Sequence, residues 1–450
     1  MKTLVACILV VGVMQVLIAQ NRSETISQSG LTLAYCIDAA LNKNPSVAAA
    51  RFRVEAAEAK MFEAQTNRLP RLALSGRAAR LSDVPTYAIT LPGIGRQTLF
   101  ESINHSYATR IALQQPIFTG FRLARLSEMS ESQHDIASHE YRKAKNELVI
   151  EVSAAYWNLF KAIRLQKLYD QAQNQLRAHL ADVQNLLGQG MASYLDVLRL
   201  EAQLVDLQMK IIEAGSGVML ASMRLSSLIG LDLLEPLVPA DDAANNLPGP
   251  EDLRVQPRTL IAAAMSHRPE MHAMSQLKAI RERGVTVAQA GWFPQLSLSA
   301  SYDYARPNQR VIPPSDRWEK TWDIGIVFQW SLWDWFETSY KVSEARAIES
   351  EARAQFDLLS NAIALDVVTQ YRRLVEADAL VTAGEHHVRR SEESRRVAAE
   401  NFKQGVATST EVLDAELDLL RAQLNHAIAT VEAALQLQRF KMSRGEDLFE

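Results

Sequence analysis

The sequence predicts a mainly α-helical fold with a small β part: two long antiparallel coiled-coil hairpins and four short strands, arranged as an internal repeat. Three observations predict it. First, the chain echoes itself. Tyr156-Trp157-Asn158-Leu159 returns as Tyr371-Arg372-Arg373-Leu374, Gln189-Gly190 as Gln404-Gly405, and Gly230 as Gly445, all at a shift of 215. Asn44-Pro45 and Leu69-Pro70 return as Arg268-Pro269 and Phe293-Pro294 at a shift of 224. A period this long marks a duplicated unit, not a short-repeat solenoid. Second, apolar residues recur at 4-3-4-3 spacing over long stretches, as in coiled coils. Third, four segments alternate apolar and polar residues at period 2, as half-buried strands do.

The first segment, 1–19, reads as a secretory signal. Lys2 precedes an apolar run from Leu4 to Ile18, and polar residues begin at Gln20. The run is shorter than the ~20 residues that a spanning helix needs, and cleavage after Ala19 fits the pattern. Cys7 would leave with the signal. Cys36 is then the one cysteine of the mature chain, so no internal disulfide can form. Leu33-Ala34-Tyr35-Cys36 faintly resembles a lipidation box, but Tyr35 is too large for that site. Cys36 is expected as a small apolar residue of the first helix.

The first repeat spans 31–235. It opens with a helix pair at about 32–41 and 46–67, with Pro45 favouring the first turn of the second helix. Strands follow at about 71–81 and 107–116, joined by a polar loop at 82–106. A helix from about 120 to 188 then returns, through a turn at Gly190, as a second helix ending at Gly230. Segment 236–257 is rich in Pro, Asp and Asn and reads as a linker. The second repeat, 258–445, copies the order: helices at about 257–265 and 270–291, then strands at about 295–305 and 322–331. A shorter loop joins those strands, and a hairpin at about 334–443 completes the repeat. The seams predicted to hold the hairpins are Leu148, Val152, Ala155, Leu159 and Ala162 with their counterparts Ile363, Val367, Gln370, Leu374 and Ala377. On the return helices they are Leu195, Leu198, Ala202, Val205, Met209 and Ile212, and Thr410, Leu413, Leu417, Leu420, Leu424 and Ala427.

The strands are nine to eleven residues long, which suits a tilted membrane β-strand of about that length. Tyr302, Tyr304, Trp322 and Trp330 sit near strand ends, as an aromatic girdle does. Four strands cannot close a membrane barrel whose smallest common form has about eight, and an open edge in lipid leaves backbone groups unpaired. The chain is therefore expected to oligomerise.

Chemistry is inconspicuous. The net charge of −4 gives no case for a nucleic-acid partner. The nine histidines are scattered without a metal-ligand spacing. No GxSxG, Walker loop or dinucleotide-binding glycine fingerprint occurs, so neither an enzyme nor a cofactor is expected.

In order, the motifs Leu41-Asn42-Lys43-Asn44-Pro45, Arg68-Leu69-Pro70 and Gln114-Gln115-Pro116-Ile117-Phe118, and the turns at 190–198 and 405–413, resemble the TolC-type outer-membrane efflux family. The resemblance covers about 31–445. It implies a homotrimer in the outer membrane of a Gram-negative bacterium: a 12-stranded barrel on a long α-helical barrel that crosses the periplasm. The implied function is a passive exit duct of a tripartite efflux or secretion system, served by a periplasmic adaptor and an inner-membrane pump. The alternative is a periplasmic coiled-coil adaptor. The resemblance also implies that the turns Gly190-Met191 and Gly405-Val406 form the tip where the adaptor docks. Glu411 and Asp414, three apart and so on one helix face, would line a constriction there. A carboxylate in a first helical turn is also favoured simply by the helix dipole. Glu416 and Asp418 are expected at other angles. Asp196 matches a tip residue that pairs with an Arg in some relatives, but here that Arg position is Ala407, which puts the latch in doubt.

Overall fold

A computed structural model describes residues 31–85, 87–100, 102–312 and 314–449. The segment read as a signal peptide, 1–19, lies outside the described residues. The elements are α1 (Leu33–Lys43), α2 (Pro45–Thr66), β1 (Arg71–Arg80), β2 (Tyr87–Leu91), β3 (Gly95–Phe100) and β4 (His105–Phe118). They continue with α3 (Arg122–Gly188), α4 (Tyr194–Ile229), the one-turn α5 (Pro250–Leu253), α6 (Pro257–His267) and α7 (Pro269–Gln289). The last are β5 (Gln295–Arg306), β6 (Glu319–Gln329), α8 (Glu337–Lys403) and α9 (Ser409–Ser443).

The same order of helix pair, strands and hairpin occurs twice. The long helices α3 and α8 have 67 residues each, on the order of 100 Å at ~1.5 Å per residue. Their starts are alike as well, since Phe121 and Phe336 both precede the helix with positive φ, 67° and 66°. The strand-to-helix junction thus has one geometry in both repeats.

The echoed tyrosines have a structural reason. The Tyr156 hydroxyl donates to the Leu31 carbonyl at 2.9 Å, and that of Tyr371 donates to the Leu253 carbonyl at 2.9 Å. Each ties a long helix to the segment that leads into the opening helix pair. Around Tyr156, the residues Leu148, Val152, Ala155, Trp157, Leu159 and Leu225 form one buried cluster. Around Tyr371, the counterparts Ile363, Val367, Leu374 and Phe440 form another. The seams predicted on α3 and α8 therefore face the core. Cys36 lies wholly buried in the first cluster. Burial pushes its thiol up to about 12, with the nearby Asp241 charge adding to the rise. It is an inert core residue.

Segment 236–257 corrects the expectation of a plain linker. Leu237 and Ala243 are buried, Leu31 N donates to the Val238 carbonyl at 2.9 Å, and Ala240 N donates to the Leu31 carbonyl at 2.8 Å. It lies packed along the hairpin because its apolar residues find α1 and α3. A second correction concerns the first outer loop. Residues 82–106 contain the hairpin β2–β3, turned at Pro92-Gly93. Pro followed by Gly is a strong turn signal, and the alternation beside it is short enough to escape notice.

The four long strands form one antiparallel sheet in the order β1-β4-β5-β6. Its register sorts the faces. One face carries the rows Leu74–Ile111–Tyr302–Trp322, Leu72–Leu113–Ala300–Ile324, and Leu298–Ile326 with Leu296–Phe328. The other carries Ser75–Arg110–Asp303–Thr321 and Ala73–Ala112–Ser301–Asp323. On this polar face Arg110 and Asp303 form a two-bond ion pair at 2.6 and 3.2 Å, and Ser301 donates to Asp323 at 2.7 Å. The apolar face is strongly exposed: Leu72, Leu74, Trp322, Ile324, Ile326 and Phe328 are each at least 60% accessible.

The long helices stand side by side in the order α4-α3-α9-α8. Here the third correction falls. The seam predicted on α4 (Leu195, Leu198, Ala202, Val205, Met209, Ile212) is exposed throughout. α4 instead buries Val197, Leu200 and Leu207 against α3. The helix carries two apolar stripes, and period alone does not say which one a neighbour in the same chain covers.

The register generates a direct test. Ile326 lies on the apolar face and Val327 on the polar one. Ile326→Arg is expected to cost about 2–4 kcal/mol near a bilayer midplane and to deplete the protein from outer-membrane fractions. Val327→Arg is expected to be milder. Equal membrane recovery of the two variants would contradict the face assignment.

Candidate functional site at the hairpin tips

Both hairpins turn by the same chemistry. The amides of Gly190 and Met191 bond the carbonyls of Leu187 and Leu186 at 3.0 and 2.8 Å. Those of Gly405 and Val406 bond Phe402 and Asn401 at 3.0 and 2.9 Å. This double bond pattern is a Schellman stop. It requires a left-handed residue, and Gly190 and Gly405 supply it with φ of 73° and 74°. Met191 and Val406, which follow, are 71% and 75% exposed. The turns thus present one apolar side chain each to the outside.

The return helices start with matched capping boxes. In the first, Ser193 Oγ accepts from Leu195 N and the Asp196 carboxylate accepts from Ser193 N at 3.2 Å. In the second, Thr408 Oγ1 accepts from Glu411 N at 3.3 Å, and Glu411 Oε2 accepts from Thr408 N at 2.7 Å. Asp196 and Glu411 are therefore repeat counterparts in one structural task, satisfying amides that the helix start leaves unpaired. The helix-start reading of Glu411 holds in this geometry. It does not displace the carboxylate from the surface, because Glu411 remains exposed.

Asp414 is exposed beside Glu411, and so is Asp418, where Arg421 donates to it at 3.1 Å. Positions 411, 414 and 418 follow the 3-4 spacing of one helix face. The expectation that Asp418 points elsewhere is therefore corrected: seven residues are nearly two full turns. Glu416 does point elsewhere. Its Oε2 lies 3.5 Å from His179 Nδ1 on α3, inside the tip.

That contact belongs to a cavity of about 1000 Å³ between the hairpins, lined among others by His179, Asp196, Arg395, Phe402 and Glu416. His179 is buried, its Nε2 lies 3.3 Å from Ser409 Oγ, and its ring meets Phe402 edge-on at 5.5 Å. Nearby, Arg199 Nη1 donates to Thr410 Oγ1 at 3.1 Å, from α4 to α9. The sequence singled out none of His179, Ser409 or Arg199, and it gave Thr410 only as a seam residue of the return helix. The helix-to-helix pairing of α3 with α9, which brings His179 to Ser409, leaves no local mark in the sequence.

The residues read as a girdle lie at both ends of the sheet. Tyr302 pairs with Trp322, and Tyr304 stacks on Trp318 at 4.8 Å with Tyr107 at 6.1 Å from the same indole. At the helical end, Trp330 Nε1 donates to the Trp292 carbonyl at 3.1 Å. Trp333, Trp335, Phe336 and Phe121 stand exposed nearby and extend this second belt beyond the residues read from the sequence.

Comparison with known proteins places this geometry. The family model described as outer membrane efflux protein matches residues 36–231 and 260–443. The outer membrane efflux protein BepC of Brucella suis biovar 1 (strain 1330) is 21% identical over 315 residues. That alignment covers 70% of this chain and 66% of BepC, so the match spans just under two thirds of that relative. Among solved structures, the Campylobacter jejuni CmeC outer membrane channel is 16% identical with a TM-score of 0.76, covering 94% of this chain and 90% of that one. The Vibrio cholerae outer membrane protein VceC is 18% identical with a TM-score of 0.75, covering 93% and 97%. These likenesses carry the fold across most of the chain.

The two caps make a prediction. Ser193→Ala and Thr408→Ala are each expected to lower local stability by about 1 kcal/mol. Amide hydrogen exchange should then accelerate in the first turns of α4 and α9 and stay unchanged at the waist around Trp157. Unaltered exchange at both turns would show that the caps do not hold the tip.

Proposed function

Because the chain belongs to the outer membrane efflux protein family, we propose that it is a passive exit duct of an efflux system, seated in the outer membrane and reaching into the periplasm. Family membership sets aside the alternative of a soluble coiled-coil adaptor. The duct is a homotrimer, with a 12-stranded barrel above an α-helical barrel. Periplasmic adaptor and inner-membrane pump complete the path.

One observation supports the assembly above all. Every layer of the single chain ends in two uncovered edges. Among the described residues β1 and β6 have no outer neighbour, and they run in opposite directions, so a second copy can continue the sheet antiparallel. Among the helices the edges are α4 and α8. The exposed α4 residues Leu198, Val205 and Met209 are the repeat counterparts of Leu413, Leu420 and Leu424. Those three pack in the cluster with Leu168, Leu176 and Val183 of α3. The contact of α9 on α3 within one chain is thus the template for α4 on α8 of the next. A head-to-tail contact of this kind either closes into a ring or runs on as a filament. Four strands per copy in a barrel suit closure at three.

Within such a ring, Glu411, Asp414 and Asp418 form acidic rings near the tip, where carboxylates favour cations. Met191 and Val406 are the apolar points on which an adaptor docks. Asp196, occupied by its own cap and lacking an Arg at 407, is no latch. The contacts of His179 with Ser409 and of Arg199 with Thr410 join the hairpins in its place.

Two outcomes test these readings. Val205→Glu with Met209→Glu is expected to convert the trimer to monomers, read as mass by light scattering in mild detergent. A wild-type chain that is monomeric there would end the assembly reading. In planar bilayers, neutralising Glu411, Asp414 and Asp418 together is expected to weaken cation preference, while Glu416→Gln leaves it nearly unchanged. Equal effects would mean diffuse surface charge and no ring.

A further inference from the structure

The connection between β5 and β6 does not stand free above the sheet. It is fixed at two points on opposite faces. At its start, Asn308 is 3% exposed, and its side-chain amide donates to the Glu319 carbonyl and to Thr321 Oγ1, each at 3.1 Å. Its Oδ1 accepts from Arg310 N at 3.0 Å. Thr321 lies on the polar face of the sheet, so the first arm of the connection folds down over that face. Arg310 goes further. Its Nη1 donates to the Trp322 carbonyl at 3.1 Å and lies 3.5 Å from Asp323 Oδ1, again a polar-face residue. At its other end, Trp318 stacks on Tyr304 of the apolar face. Between these anchors, Arg306 and Asp316 clasp the loop with two bonds of 2.7 Å. The chain therefore crosses over the strand ends from one face to the other.

A polar network continues from the pin. Asp323 accepts from Ser301, Ser301 also lies 3.3 Å from Asp303, and Asp303 holds Arg110. Loop and strands β4, β5 and β6 are thus joined across one face by two acid–base pairs bridged through the Ser301 hydroxyl. The members are half-exposed on that side: the side chains of Arg110, Arg310 and Asp323 are 57%, 55% and 50% accessible.

We propose that the β5–β6 connection is an inward-folded strap at the outer mouth of the barrel, pinned to the lumen wall by Arg310 on Asp323, so that releasing the pin widens the exit. The proposal rests on the reading of the sheet as one third of a closed barrel with its polar face inward. Three straps then converge on one opening. The anchors divide the work. Buried Asn308 and stacked Trp318 hold the loop to the strands, and the half-exposed Arg310–Asp323 pair is the part that can detach at small cost. An exposed ion pair of this kind shifts a two-state balance by at most about fivefold.

Access to the lumen from outside measures the strap without passing through the periplasmic tip. Ser299, on the polar face of β5 below the strap, is replaced by Cys, and intact cells are treated with a bulky membrane-impermeant maleimide. The natural Cys36 is buried and stays silent. Ala300→Cys, on the apolar face, serves as the control. Labelling of Ser299→Cys is expected to accelerate by up to about fivefold on adding R310A, and by less on adding D323N, which leaves the Arg310 bond to the Trp322 carbonyl in place. The two together should match R310A alone, and R310K should retain part of the restraint. Labelling at the wild-type rate in both R310A and D323N would overturn the strap. Labelling of Ala300→Cys as fast as Ser299→Cys would instead overturn the barrel reading beneath it.

Discussion

The constraint on which the whole structure depends is that its edges cannot remain open. β1 and β6 each present a row of backbone donors and acceptors with no partner among the described residues. In lipid those groups have no water to turn to, so each unpaired one costs several kcal/mol. The helical layer has the same difficulty in another form, since α4 exposes Leu198, Val205, Met209 and Ile212 along one side. Hydrogen bonding demands a neighbour above and the hydrophobic effect demands one below. In the proposed assembly, both demands are met by the same second copy in the same head-to-tail sense.

The duplicated sequence makes this economical in information. α3 and α8 share length, start geometry and seam, and the tip turns share their stop and their cap. A contact that works between α9 and α3 needs only its counterparts at α4 and α8 to work again between copies. The repeats diverge in their strand connections and inside the tip. The outer connection of the first carries the β2–β3 hairpin, and that of the second folds into the polar face. At the tip, His179 and Glu416 meet between α3 and α9.

Much of the fold was legible because its signals are local. Pro45 and Pro269 at helix starts, Gly190 and Gly405 at the turns, and the alternation from Leu296 to Tyr304 each act within a few residues. The tip carboxylates were legible as positions and less so as roles. Glu411 and Asp196 stand three residues after Thr408 and Ser193, so the capping box could have been read directly from the spacing. Asp418 could have been placed with Glu411 and Asp414 by counting turns.

The sequence by itself determined the long helices, the strands with their two faces, the duplicated order and the family. All of these follow from periodicity and from residues with restricted backbone geometry. Only the tertiary structure decided which stripe of α4 is covered within the chain, that segment 236–257 packs against the waist, that His179 reaches Ser409 and Glu416, and that Arg310 lies across Asp323. Each of these depends on which elements become neighbours, and that is set by packing between residues far apart in the chain, as His179 and Ser409 are at 230 positions. Periodicity says that a face is apolar. It takes the assembled fold to say what covers it.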